Sequence, residues 1–200
     1  MALYASLIPE FEAAIRQGSG AKRATMAERI TELFIDASDR FDAVQIALFD
    51  EILGRLIEEI EHKTLAEISR RIAPVERAPI GVVRRLAGDG NISVAGPMLR
   101  LSPRLADADL AAIASCMGPP HLLAISQRAN IATPVTDILV ERGDASVLQA
   151  VADNRGAQFS NSGIRHAGQA RRRRRQAARN DRPASRHPAP APAQPRARSD

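Results

Sequence analysis

Five consecutive arginines, Arg171, Arg172, Arg173, Arg174 and Arg175, are the residues whose type and spacing attract a ligand irrespective of fold. Such a run binds phosphate backbones by releasing counterions, with little base preference and a steep dependence on salt. No aromatic residue lies in residues 165–200, so bases have nothing to stack on. The run is a candidate polyanion-binding segment that acts by charge alone.

Other chemistry is harder to assemble. The histidines, His62, His121, His166 and His187, have no second His or Cys at metal-ligand spacing. His121 follows Pro119-Pro120 at the start of a helical pattern and reads as a surface or packing residue. Cys116 lies on the apolar stretch 113–117, where a cysteine usually serves as a small core hydrophobe. A nucleophilic role would need a base partner, and none can be named. Glu58, Glu59 and Glu61 fall on the polar side of an amphipathic pattern, not across a cleft. Asp107 and Asp109 suit a helix start, where carboxylates cap free N–H groups and favour the dipole. Gly88-Asp89-Gly90 is too short for a phosphate loop and has no strand before it. Arg84-Arg85 fit a binding face or plain solvation. The expectation is a non-enzymatic chain with no catalytic residue, no metal ligand and no cofactor.

The elements that would position these groups are helical. Apolar residues make up 44 % of the chain, but aromatics only 3 %, so the core is expected to be aliphatic. Residues 3–17 suit a first helix, with Leu7, Phe11, Ala14 and Ile15 at helical spacing before Gly18 and Gly20. Residues 21–37 suit a second, with Met26, Ile30, Leu33, Phe34 and Ala37 on one side. The clearest stripe runs over 42–62: Phe49, Ile52, Leu53, Leu56, Ile57 and Ile60 on one face, Asp50, Glu51, Arg55 and Glu58 on the other. Such a stripe must be buried, against the first two helices or in a homodimer through 42–62.

Beyond His62, segments of about ten residues alternate with turn signals. Thr64 and Glu67 form a capping-box pattern opening a helix to Ala73. Ala78-Pro79 opens another to Ala87, and Gly88 to Asn91 interrupt it. Asp107 is expected to cap the stretch to Met117. Gly118-Pro119-Pro120 precedes 121–128, Thr133-Pro134 precedes 135–142, and Asp144 is expected to cap 147–152. Helices this short cannot bury a face alone and must stack. Residues 86–93 resemble 125–132 at an offset of 39, with a shorter echo at 151–154. An offset near 40 is the period of two-helix HEAT-type repeats.

Residues 78–160 resemble the bacterial family known as domain of unknown function 2336. The resemblance rests on Ala78-Pro79-Ile80 with Val82-Val83-Arg84-Arg85-Leu86, on Ile92 to Pro97, and on Leu105 with Asp107, Asp109 and Leu110. It continues through His121 to Ser126, Val140 to Asp144, and Asn154 to Ala157 with Phe159-Ser160. It implies a HEAT-like helical protein and brings no activity, cofactor or catalytic residue. The expected fold is thus all-α: an N-terminal helical region over 1–63, a HEAT-like α-solenoid of short antiparallel helices over 64–164, and a disordered Arg/Ala/Pro-rich tail over 165–200.

In proteins this chain resembles, the Asn154 to Ser160 stretch is followed by further amphipathic helix. Here no bulky apolar residue follows Ile164, and such a composition cannot offset the entropy of ordering. Out-of-frame translation of GC-rich DNA and a genuine basic arm both account for it, and the absence of lysine favours the first. A truncated stack would leave Val147, Leu148 and Val151 exposed.

The charge balance separates body from tail. Residues 165–200 hold 11 Arg and 2 Asp, so residues 1–164 carry −4 of a total of +5. The basic balance therefore says nothing about the helical body. One cysteine excludes an internal disulfide, the first ten residues do not read as a signal peptide, and no stretch approaches the length of a membrane span. The expectation is a cytoplasmic interaction or regulatory adaptor with an unidentified protein partner. Nucleic-acid association through the tail is the alternative.

Overall fold

Glycine and proline punctuation cuts the chain into short helices, and their ends explain their lengths. In the computed structural model, residues 19–165 are described; the helix expected over 3–17 and the tail beyond Arg165 lie outside them. Nine α-helices are present among the described residues. They are α1 Gly20–Ala37, α2 Ala43–Leu56, α3 His62–Ile72, α4 Ile80–Ala87, α5 Ile92–Leu101, α6 Asp107–Cys116, α7 Pro119–Ser126, α8 Thr133–Arg142 and α9 Ala145–Asp153. Residues 161–165 begin a further turn of helix. The described residues form no strand, only an isolated parallel bridge between Ile131 and Ala157.

The helices stack in two rows. α1, α3, α5, α7 and α9 follow one another in row A, each against the next. In row B, α2 packs on α4 and α6 on α8, while Arg84 of α4 reaches Asp109 of α6 at 2.9 Å. Consecutive helices alternate between the rows. The fold is all-α, with one aliphatic core running without a break from Ala27 to Val151. Phe34, Phe41 and Phe49 meet in the first hairpin with ring centroids 4.8–5.7 Å apart, and Phe159 packs against the core at its other end.

The structural repeat is shorter than the sequence echo. Ile80, Asp107 and Thr133 open α4, α6 and α8, steps of 27 and 26 residues. An offset of 39 carries α4 to α7, three helices on and into the other row. The echo therefore matches two helix-ending turns and not two equivalent hairpins.

Local expectations hold at some ends and shift at others. Asp144 caps α9 by accepting from the N–H groups of Ser146 and Val147 at 2.9 and 3.0 Å. Pro119 and Pro120 occupy the first turn of α7, whose start is thus two residues earlier than expected. The long helix expected over 42–62 is two. α2 stops at Leu56, Ile57–Glu59 make a 3₁₀ turn, and Ile60 is extended, which lets both Ile57 and Ile60 turn into the core. α3 then starts at His62 with Glu61 at its N-cap, so Thr64 lies inside the helix and caps nothing. At α6 the capping group is Asp109, which accepts from the Ala106 N–H at 3.1 Å; Asp107 is the first helical residue. Thr133 likewise stands at the first position of α8, behind Ala132. Val147 and Val151 are buried and Leu148 half-buried, so the exposed face expected at the end of the stack is absent.

A ladder of side chains ties row A together. Each corner after a row-A helix sends a donor back to the previous corner. Arg77 donates to the carbonyls of Ser38 and Asp39, and Arg104 to that of Ala78. Arg128 donates to Leu99 and Ser102 at 2.8 and 2.9 Å, and Asn154 to Ser126 and Arg128 at 2.9 and 2.6 Å. In row B, Arg142 does the same to Ala114. The acceptors are helix-terminal or corner carbonyls that lack an intrahelical partner. Burial lowers the Arg128 guanidinium below its ordinary pKa, and the Asp107 carboxylate opposes that shift.

Candidate interaction surface

An open groove of about 520 Å³ lies between α2 and α4, lined by Ala47, Asp50, Glu51, Gly54, Gly81 and Arg85. Its floor follows from one contact. The Asp50 carboxylate, on α2, accepts from the Gly81 and Val82 N–H groups at 2.9 and 2.7 Å. It thereby caps the first turn of α4, which has no side-chain cap of its own. A Cβ at position 81 would stand 2.8 Å from both Asp50 oxygens, so this cap requires glycine there.

Gly54 is different. A Cβ built there meets no atom within 4 Å, so nothing in the packing requires glycine in the middle of α2. Glycine in a helix interior costs about 0.5–1 kcal/mol relative to alanine. Ala47, Gly54 and Gly81 leave the two helix backbones open along the groove. Its rim is charged: Glu51 pairs with Arg55 at 2.9 Å, Arg85 with Glu58 at 3.1 Å, and Arg84 with Asp109 through two contacts of 2.9 and 3.3 Å. The Glu51–Arg55 and Arg85–Glu58 pairs are largely exposed and add little stability each. They do hold both signs of charge in fixed places beside a floor of small residues.

The residues singled out in the sequence are scattered over the fold. His121 is buried, 5 % exposed, with its Nε2 2.9 Å from the Asp89 carbonyl. It is a packing residue that pins the turn before α5. His62 stands 3.8 Å from an Asp89 carboxylate oxygen. Cys116 is exposed, contrary to the expected core position, because α6 turns Leu110 and Ala114 inward and leaves its last residue in solvent. Arg85 lines the groove, and Arg84 pairs with Asp109 of α6. Arg171 to Arg175, His166 and His187 lie outside the described residues. Among the described residues, no group of three His, Cys, Asp or Glu is placed to hold a metal, and no helix is long and apolar enough to cross a membrane.

Sequence reasoning missed Asp50 and Gly54, reading the first as a solvated face residue and passing over the second. An isolated glycine inside an otherwise strong helical pattern was the available signal. The ladder residues Arg77, Arg104, Arg128 and Asn154 were missed too, although they recur every 24–27 residues.

The family described as an uncharacterised protein conserved in bacteria, DUF2336, matches residues 94–188. The matched span takes in helices α6 to α9 and most of α5, and it runs on through the arginine run. No curated protein and no solved structure matches the chain.

Proposed function

We propose that the helical stack, part of which lies in the span 94–188 that matches this bacterial family, is a non-catalytic docking module for a protein or peptide partner. The observation that carries the reading is Gly54. A mid-helix glycine that packing does not require, beside Ala47 and Gly81, keeps a strip of backbone open to an approaching chain. The rim pairs Glu51–Arg55 and Arg85–Glu58 can exchange partners with an incoming segment at little net cost, since exposed pairs are weak. Such groups favour orientation and selectivity over raw affinity. Extended surfaces of stacked helices serve partners of this kind.

The test is selection from a random peptide library by the full chain, repeated with Gly54→Trp. That substitution fills the groove without meeting another atom at Cβ. Enrichment of a related peptide set by the native chain, lost in Gly54→Trp while thermal stability is kept, supports the reading. A set enriched equally by both proteins places docking elsewhere, and no enrichment by either sinks it.

A second reading is nucleic-acid association through Arg171 to Arg175, which lie inside the matched family span. Retention on DNA across a salt series separates the two. Retention by the full chain with a steep salt slope, absent from residues 1–164, assigns binding to the arginine run.

A further inference from the structure

The charges along the groove are not all balanced within the fold. Glu51 holds Arg55, and Glu58 holds Arg85. The Asp50 carboxylate accepts from the Gly81 and Val82 N–H groups, and no arginine, lysine or histidine pairs with it among the described residues. A carboxylate offers about four acceptor positions, so about half of its capacity is left once the first turn of α4 is capped.

The lining leaves that carboxylate approachable. Asp50 is half-buried, and Ala47 and Gly54 flank it on α2. Residues at i and i+4 are neighbours on a helix surface, so any side chain at position 54 would stand beside Asp50. Glycine leaves that place open, with no atom within 4 Å of where a Cβ would be. Charge selects what enters. Residues 42–62 hold six carboxylates against one arginine, a field that draws cations. An ammonium or guanidinium at Asp50 gains a charge-assisted pair without breaking an existing one. A carboxylate would meet Asp50 as a like charge and find Arg55 and Arg85 already held.

Resting on the docking reading above, we infer that the groove seats a cationic side chain: an arginine or lysine of the partner peptide enters over Gly54 and pairs with the Asp50 carboxylate. Asp50 then serves two ends, holding the start of α4 and the cation of the partner. The two N–H groups fix the carboxylate in place before the partner arrives, which lowers the cost of ordering it on binding.

The experiment is selection of a random peptide library on the full chain, on Gly54→Trp and on Asp50→Asn. The expected result is a set lost in Gly54→Trp whose members share an arginine or lysine at one position. Asp50→Asn should weaken such a peptide about tenfold, and should leave unchanged its analogue with norleucine at that position. A Gly54-dependent set with no shared cation, or one whose preference survives Asp50→Asn, leaves docking in the groove standing and overturns the cationic seat. No Gly54-dependent set overturns both. A second measurement needs no peptide and keeps Asp50 in place. Gly54→Arg supplies the cation four residues along the same helix, and at low salt it should melt above Gly54→Gln, whose helix propensity is similar. Equal melting, or a difference that persists when Asp50→Asn is added, shows that Asp50 takes no cation there and overturns the proposal.

Discussion

The first hairpin and the stack beyond it are held by different forces. α1 and α2 are 18 and 14 residues long and meet over a cluster of three phenylalanines. From α4 onward the helices have 8–10 residues, the described aromatics take no part in ring contacts, and corner side chains bond back to earlier corners. A helix of any length leaves four N–H and four C=O groups without an intrahelical partner. In an eight-residue helix these ends are most of the backbone, so satisfying them becomes a large share of stability. The first hairpin has one rung of the ladder, from Arg77, and adds buried ring area to it. Short helices therefore demand partners at their ends, and the ladder supplies them.

Breaking the aromatic side should have the largest effect. Phe34→Ala is expected to cost about 3–5 kcal/mol, by removing a fully buried ring from the cluster. Urea unfolding measures it, and loss of helix confined to α1–α3 in hydrogen exchange would show that the stack stands without the hairpin.

Breaking the ladder comes next. Arg128→Ala leaves the Leu99 and Ser102 carbonyls without their guanidinium and should cost about 2–3 kcal/mol. Arg128→Lys should recover little of that, because an ammonium cannot reproduce the planar fork. Faster amide exchange at the ends of both α5 and α7 is the expected signature. An effect limited to α7 would mean that the ladder does not couple neighbouring units.

Asp50→Ala removes the cap shared between α2 and α4 and should cost about 1–2 kcal/mol. Two smaller changes sharpen the contrast by running the other way. The Thr136 hydroxyl is buried with no partner among the described residues, so Thr136→Val should be neutral or stabilise by up to about 1 kcal/mol. Gly54→Ala should stabilise by about 0.5–1 kcal/mol in thermal unfolding. A destabilising Gly54→Ala would mean that the fold does need this glycine, and the argument for the groove would lose its footing.

Helix class and many helix positions were legible in the sequence, because Gly88, Gly118, Pro119, Pro134 and Gly143 interrupt the apolar pattern at four corners, but α5 was not read as a helix. Start sites were legible where the capping side chain stands immediately before the helix, as Asp144 does. They shifted where tertiary burial decided the matter. Ile60 turns into the core and ends the preceding turn, which moves the start of α3 ahead of Thr64. Cys116 was illegible because residues 110–117 are nearly all apolar or small, and periodicity has no contrast to read there. The groove and the ladder were illegible for a different reason. Asp50 to Gly81 and Arg128 to Ser102 join residues 26–32 apart, and only the stacking of units brings them together.

The ladder also has a direction in time. Every donor lies downstream of its acceptors in the chain: Arg77 after Asp39, Arg104 after Ala78, Arg128 after Ser102, Asn154 after Ser126. During synthesis each finished corner must wait for 26–39 further residues to emerge before its carbonyls are answered. At roughly 5–20 residues per second that wait is on the order of seconds. A nascent chain of this kind closes like a zip with its slider always one unit behind the newest helix, and the leading edge on the ribosome is the least protected part of the molecule.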